Sequence, residues 1–314
     1  MTPWLSVIVP VHDGARFLGA TLQAAADERP EGVEFLLYDS GEDDGAARRI
    51  AEGFADRLDL RRQEARDCKP WTAKTNRGVA EARAPHVVML HQDDLWLPGH
   101  LTALQAAIAT APDAALSIGP SRFVSAAGRM VGAWRLPFAP GLVAGADFIA
   151  TLIVQNSIAI PSPCIRRDAW LACGGMDEAL WYTADWDLYL KLAAHGAVLV
   201  RAGETTAFRL HGSSLTMAGS RDGAAFREQL ETVLERHAGA IPAGQRARQL
   251  RLARASIAAN CALASGARGG WGKLMQGLGS VAALGPLAMP RFLRETRLID
   301  RIWPRLRLSL SGGM

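Results

Sequence analysis

The sequence predicts an α/β fold, with a mostly parallel central sheet flanked by helices and a helical extension at the C-terminal end. Three observations carry that expectation. Apolar, β-rich runs alternate with helix-periodic segments through the first half of the chain, the pattern of βαβ units. Val87-Val88-Met89-Leu90 is an uninterrupted apolar run, as expected of a strand buried on both faces of a parallel sheet. After Asp222 the apolar residues (Phe226, Leu230, Val233, Leu234, then Leu250, Leu252, Ile257, Leu263) recur among alanines in a helical pattern. The 314 residues, 49% apolar and free of low-complexity blocks, can bury a full core.

The elements follow in order. Leu5-Ser6-Val7-Ile8-Val9-Pro10-Val11 is strand-forming, with Pro10 near the strand's end. His12-Asp13-Gly14 turns the chain into a helix with Phe17, Leu18, Leu22 and Ala25 on one side. A second strand, Val33 to Tyr38, ends in Asp39-Ser40-Gly41-Glu42-Asp43-Asp44. The Asp39 tip reads either as a ligand contact or as an Asx turn leading into the next helix. That helix, Ala46 to Phe54, is followed by a half-exposed strand at Leu58-Asp59-Leu60-Arg61 and a helix over about Thr72 to Ala82. The central strand then ends in His91-Gln92-Asp93-Asp94. Trp96-Leu97-Pro98 is expected to open a helix carrying Leu101, Leu104 and Ile108, with Asp94 a candidate cap.

Acidic residues thus occupy two strand tips, at Asp39 and Asp93, where ligands gather in open α/β sheets. Adjacent carboxylates are costly there unless a cation or solvent meets them. No Gly-x-Gly-x-x-Gly follows the first strand and no Gly-x-x-x-x-Gly-Lys-Ser/Thr occurs. The usual phosphate loops of dinucleotide dehydrogenases and P-loop ATPases are therefore missing. A divalent cation on carboxylates can hold a phosphorylated ligand without either.

Charge is unevenly spread. From Ile241 onward twelve Lys/Arg face only Glu295 and Asp300, so the rest of the chain holds 23 of the 35 basic and 29 of the 31 acidic residues. A basic tail on an acidic body suits an anionic membrane surface, and no nucleic-acid motif accompanies it. Leu274 to Pro290 is uncharged but broken by Gly277, Gly279, Gly285, Pro286 and Pro290, too interrupted for a spanning helix. It reads either as a segment lying on an anionic leaflet or as part of a helical cap over the core with its arginines solvated. Cys68, Cys164, Cys173 and Cys261 form no Cys-x-x-Cys pair, which fits a reducing compartment. With no signal-like N-terminal stretch, a cytoplasmic location is expected, peripheral on the inner face of the cell membrane.

Seven short elements, in order, resemble family 2 glycosyltransferases of the GT-A fold over roughly Leu5 to Thr216. They are the Leu5–Asp13 strand, Asp39-Ser40-Gly41, Asn76-Arg77-Gly78 with Ala82-Arg83, His91-Gln92-Asp93-Asp94, Gly174-Gly175-Met176-Asp177-Glu178, Asp185-Trp186-Asp187-Leu188, and Phe208-Arg209-Leu210-His211. The resemblance implies a nucleotide-sugar-binding catalytic domain over 1–220 and a basic helical region over 221–314. It also implies transfer of a sugar from a nucleotide diphosphate donor, most plausibly a UDP-sugar, to a glycan or lipid-linked acceptor, with inversion and Mn2+ or Mg2+ as cofactor.

By the same resemblance Asp185 is the catalytic base, and Asp93 and His211 hold the metal. Pro10, Asp39, Asn76 and Asp93 meet the nucleotide, and Gly175, Trp181 and Trp186 meet the sugar or acceptor. Each residue also has an ordinary reading. Asp185 or Thr183 caps a helix, His211 is structural, Lys74, Asn76 and Arg77 form a solvated helix face, Arg209 is a phosphate contact or a surface charge, and the tryptophans pack. Asp185 and Asp187 lie two apart, so on a helix only one enters a cleft easily. Asn156, Ser157 and Ser162 fall in the least family-like stretch, which is expected to face the acceptor. Two departures, His91 in place of an acid and Ala184 in place of a glutamate, leave a non-catalytic binding subunit as an alternative. A sugar-phosphate nucleotidyltransferase is disfavoured, because His12-Asp13-Gly14-Ala15-Arg16 is no glycine-rich, lysine-bearing loop.

Overall fold

The structure is a computed structural model describing residues 2–42, 45–212, 222–266 and 271–310. Asp43, Asp44 and the domain boundary expected at 220/221 lie outside the described residues. The strands are β1 (Leu5–Val11), β2 (Val33–Asp39), β3 (Asp59–Glu64), β4 (His86–Met89), β5 (Leu95–Trp96), β6 (Leu116–Ile118), β7 (Ser121–Ser125), β8 (Met130–Trp134), β9 (Gly141–Val143), β10 (Cys164–Arg166), β11 (Val198–Val200) and β12 (Thr206–Leu210). The helices are α1 (Ala15–Asp27), α2 (Ala46–Glu52), α3 (Trp71–Glu81), α4 (His100–Thr110), α5 (Gly145–Leu152), α6 (Arg167–Ala172), α7 (Ala184–Ala194), α8 (Gly223–His237), α9 (Ala243–Gly266), α10 (Trp271–Ala282), α11 (Met289–Thr296) and α12 (Leu298–Leu310).

Eight strands form the main sheet in the order β3-β2-β1-β4-β10-β6-β11-β9. β3, β2, β1 and β4 are mutually parallel, whereas β10 and β9 run against their neighbours. The mostly parallel sheet read from the sequence is present. Its apolar strands are buried on both faces because helices cover each side: Val7 and Val9 join Leu18 and Leu22 of α1, while Ile8 joins Val79 of α3. Gly78 lets α3 close on the sheet, since a Cβ there would sit 2.6 Å from Ile8 Cγ2 and 2.9 Å from Tyr38 Cε2. Arg83, in the same motif, serves the scaffold: its Nε donates to buried Glu34 at 2.7 Å.

The chain after Asp94 departs from expectation. Leu95-Trp96 is a short strand pairing with β12, and the helix starts only at His100 behind Gly99. Asp94 therefore caps nothing; its Oδ1 accepts from the backbone N–H of Arg209 at 3.1 Å. β5, β12, β7 and β8 make a second sheet, which carries the end of β12 to the tip of β4.

The C-terminal helices cap the core. Phe226, Leu230, Val233 and Leu234 of α8 pack in one cluster with Trp186 and Leu188, and buried Gln249 donates to Ala150 O and, at 3.0 Å, to Glu295. α12 presses on β8 so closely that a Cβ on Gly132 would lie 2.5 Å from Pro304 Cγ. The arginines of this cap are not all solvated, contrary to the cap reading of the sequence. Arg297 donates to Leu136 O, Arg251 to Leu284 O, and Arg301 and Arg305 turn into a cavity. Among the described residues no helix is long and apolar enough to cross a membrane.

Candidate active site

The tips of β1 and β4 are clipped together by one side chain. Gln92 Oε1 accepts from His12 N at 2.7 Å, and its Nε2 donates to His12 O at 3.0 Å. Lys74 does not lie on a solvated helix face: it is buried and donates from Nζ to Val11 O and Ser40 Oγ, both at 2.7 Å. Burial lowers its pKa to about 8. Lys74 thereby ties α3 to the ends of β1 and β2, at the edge where Asp39 stands.

Asp93 follows β4, and His211 follows β12. Asp93 Oδ2 and His211 Nε2 lie 2.7 Å apart. Burial raises the Asp93 carboxyl, but the bond to His211 and the neighbouring imidazoles together outweigh this and leave it below the usual carboxylate range. Asp94 behaves oppositely: burial, reinforced by the Asp93 charge, pushes it well up despite Arg209. Neighbouring carboxyls are thus driven in opposite directions, the charged form favoured at the cavity and the protonated form behind it. Arg209 is neither a phosphate contact nor a surface charge: it is buried, with Nε donating to Asp93 O at 2.7 Å and Nη1 to Ser125 O and Ala126 O. His91 also faces the cavity, edge-on to Trp71 at 5.1 Å between centroids. Burial lowers its pKa to about 4, so it is a neutral imidazole whose Nε2 has no hydrogen-bond partner among the described residues.

Asp185 opens α7 with no side-chain cap across the turn; its Oδ1 accepts from Trp186 N at 2.8 Å. Burial raises its carboxyl to about 6, against the bonds from Trp186 and Asn156. Asn156 Nδ2 donates to Asp185 Oδ2 at 2.9 Å, a role that its sequence context did not reveal. Asp187 points away, into Lys191, Arg236 and His237, as the two-residue spacing on a helix required.

A cavity of about 830 Å³ joins these elements. Pro10, Asp93, Trp181, Asp185, Trp186 and His211 line it. Trp186 contributes from a buried position, with Nε1 donating to Leu152 O. Of the nine residues to which the resemblance gives roles, three are not among its lining. Asp39 is buried and holds Arg62 Nη2 and Gly41 N, both at 3.0 Å. Asn76 bonds both the N–H and the carbonyl of Met176, at 2.9 Å each. Gly175 (φ +67°) faces Asn76 Oδ1 and Trp170 Nε1, where a Cβ would come within 2.7 and 2.8 Å. Asn76 and Gly175 therefore lock the Gly-Gly-Met-Asp-Glu turn to α3, and the open side of Gly175 faces protein rather than the cavity. Ser157 and Ser162 are buried as well, Ser162 bonded to Gly119.

Asp93 and His211 offer one carboxylate oxygen and one imidazole nitrogen, a set that Mn2+ and Mg2+ accept. No group of three or more His, Cys, Asp or Glu suited to a metal occurs among the described residues. The pair thus fits a cation whose remaining positions go to substrate phosphate and water.

Residues 6–142 match the family described as Glycosyl transferase family 2. A curated protein of Rickettsia felis, an uncharacterized glycosyltransferase, is 23% identical over 100 residues, 32% of this chain and only 16% of that longer relative. S. aureus TarS 1-349, solved with UDP-GlcNAc, aligns with a TM-score of 0.58 at 15% identity, covering 83% of each chain. The mannosyltransferase PcManGT of Pyrobaculum calidifontis, solved with GDP-Man and Mn2+, gives 0.51 at 17% identity, covering 96% of this chain and 87% of its own. These likenesses show that the chain has a GT-A-like fold, and its residues 6–142 are similar to glycosyl transferase family 2.

Proposed function

We propose that the protein is an inverting transferase that moves a sugar from a nucleotide diphosphate donor, a UDP-sugar, to a hydroxyl of a glycan or lipid-linked acceptor in polysaccharide or glycolipid synthesis. One observation carries the reading: Asp93, His211 and Asp185, on three separate elements, line a single cavity. Asp185 takes the proton of the acceptor hydroxyl as that oxygen bonds to the anomeric carbon and the bond to the diphosphate breaks. A carboxyl near pKa 6 is a base at neutral pH and a better proton acceptor than an ordinary one. Asp93 and His211 hold Mn2+ or Mg2+, which when bound neutralises the departing diphosphate. Pro10 and Asp39 serve the nucleotide side, with Asn76 acting through the turn that it fixes. Trp181 and Trp186 bound the sugar or acceptor side, and Gly175 shapes the turn behind it. The nucleotide-sugar complexes of the two structural neighbours support the donor class.

The tail docks on an anionic membrane at its cytoplasmic face. Ile299, Trp303 and Leu306 are exposed at a spacing that puts them on one face of α12, and Leu287 is 98% exposed nearby in sequence. Apolar residues among basic ones suit a leaflet of anionic lipid.

Release of UDP from UDP-sugars with Mn2+ tests the activity. Wild type is expected to turn over, and Asp185→Asn to be roughly 10²–10⁴-fold slower. UDP-sugar that binds without turnover, across acceptors, would support a binding subunit instead.

A further inference from the structure

The cavity has a second polar end that the transfer chemistry above does not use. Arg301 and Arg305, one helical turn apart on α12, both line it, and neither makes an ion pair among the described residues. Arg301 Nη2 donates to Asn260 Oδ1 at 3.1 Å, while its buried Nη1 has no hydrogen-bond partner among the described residues. Arg305 lies over the Phe123 ring at 5.5 Å. Two like charges at i and i+4 repel, and burying an unpaired cation is costly. Pro304, between them, seats α12 closely against Gly132, and Arg305 Nη1 donates to Arg301 O at 2.6 Å.

Their position distinguishes them from the metal end. Asn260, the partner of Arg301, donates from Nδ2 to Gln155 Oε1 at 2.7 Å, and the next residue, Asn156, holds Asp185. Arg301 is thus linked, through three neighbouring amides, to the side of the cavity where the acceptor hydroxyl must meet its base. Trp134 and Phe208, in edge contact at 5.3 Å, add an aromatic wall.

Building on the glycosyl-transfer reading, we propose that Arg301 and Arg305 form an acceptor subsite for an anionic group, so that the acceptor is a sugar bearing a phosphate or carboxylate. Guanidinium groups take such oxygens in paired hydrogen bonds, and the aromatic wall takes the ring.

The test is calorimetric titration of glucose 6-phosphate, inorganic phosphate and uncharged glucose into the full chain, alone and saturated with UDP and Mn2+. Glucose 6-phosphate is expected to bind with UDP in place, and glucose at least about tenfold more weakly, consistent with a lost charged contact. Arg301→Gln and Arg305→Gln should each weaken the sugar phosphate about tenfold or more and leave UDP affinity unchanged. Arg301→Lys, which keeps the cation and its stem, should lose less and guards against a folding defect. Competition between the sugar phosphate and UDP would assign the anion seat to the donor diphosphate and overturn the proposal. So would wild-type binding by both glutamine variants, or no binding of either anion. Failure to bind UDP alone would instead overturn the donor reading.

Discussion

Asn156 donates to Asp185 Oδ2 at 2.9 Å, and this bond, with that from Trp186 N, opposes the burial that raises the Asp185 carboxyl to about 6. A base must be ionised to act, so kcat/KM is expected to rise with pH along a limb centred near 6. Removing the amide withdraws a bond that favours the charged form. Asn156→Ala should therefore shift the limb to higher pH, read from initial rates between pH 5 and 8. A limb that stays in place would show that another group titrates.

The same carboxyl costs stability. Its folded pKa lies above the unfolded one, so the folded protein binds more protons between about pH 4 and 6, and stability falls across that window as pH rises. Asp185→Asn should be more stable than wild type at pH 7, by on the order of 1–3 kcal/mol, and no more stable at pH 3.5. Urea unfolding at both values measures the difference.

Gly175→Ala should destabilise the protein by about 1–3 kcal/mol. Its backbone is left-handed, and the added methyl would press on Asn76 Oδ1 and Trp170 Nε1. Gly99→Ala makes the control, since it too has positive φ (+85°) but meets nothing within 4 Å, and should cost less. Denaturation midpoints of the pair separate backbone strain from crowding.

Flotation with liposomes tests the tail. Binding to vesicles containing anionic lipid, weakening as salt rises, is expected for wild type. Ile299→Ser with Trp303→Ser should reduce the floated fraction several-fold, because both side chains are exposed and their loss spares the core. Equal flotation of the variant would reject this face.

Much of the scaffold could be read from local pattern. β1, β2 and β4 are largely apolar because helices cover both sheet faces, and α1 and α3 show their buried sides at helical spacing. What escaped depends on partners far along the chain. Leu95-Trp96 is a strand only because Thr206 and Ala207 lie opposite it. Arg209, Asp94 and Lys74 look like surface charges until β12 and the ends of β1 and β2 close around them. Asn76 has the motif's position, yet its partner is the backbone of Met176, a hundred residues on. Asn156 and the arginines of α12 belong to no motif at all; tertiary packing alone brings them to the cavity. Asp185 was legible from the resemblance, and helical geometry explains why only one of the two neighbouring acids enters the cavity.

The central claim is that Asp93 and His211 hold a cation and, through it, a diphosphate. Calorimetric titration of UDP into wild type and Asp93→Ala, each with and without Mn2+, tests it most directly. Binding that requires Mn2+ in wild type and is lost at least tenfold in the variant is the expected result. Equal UDP affinity in all four titrations would contradict it.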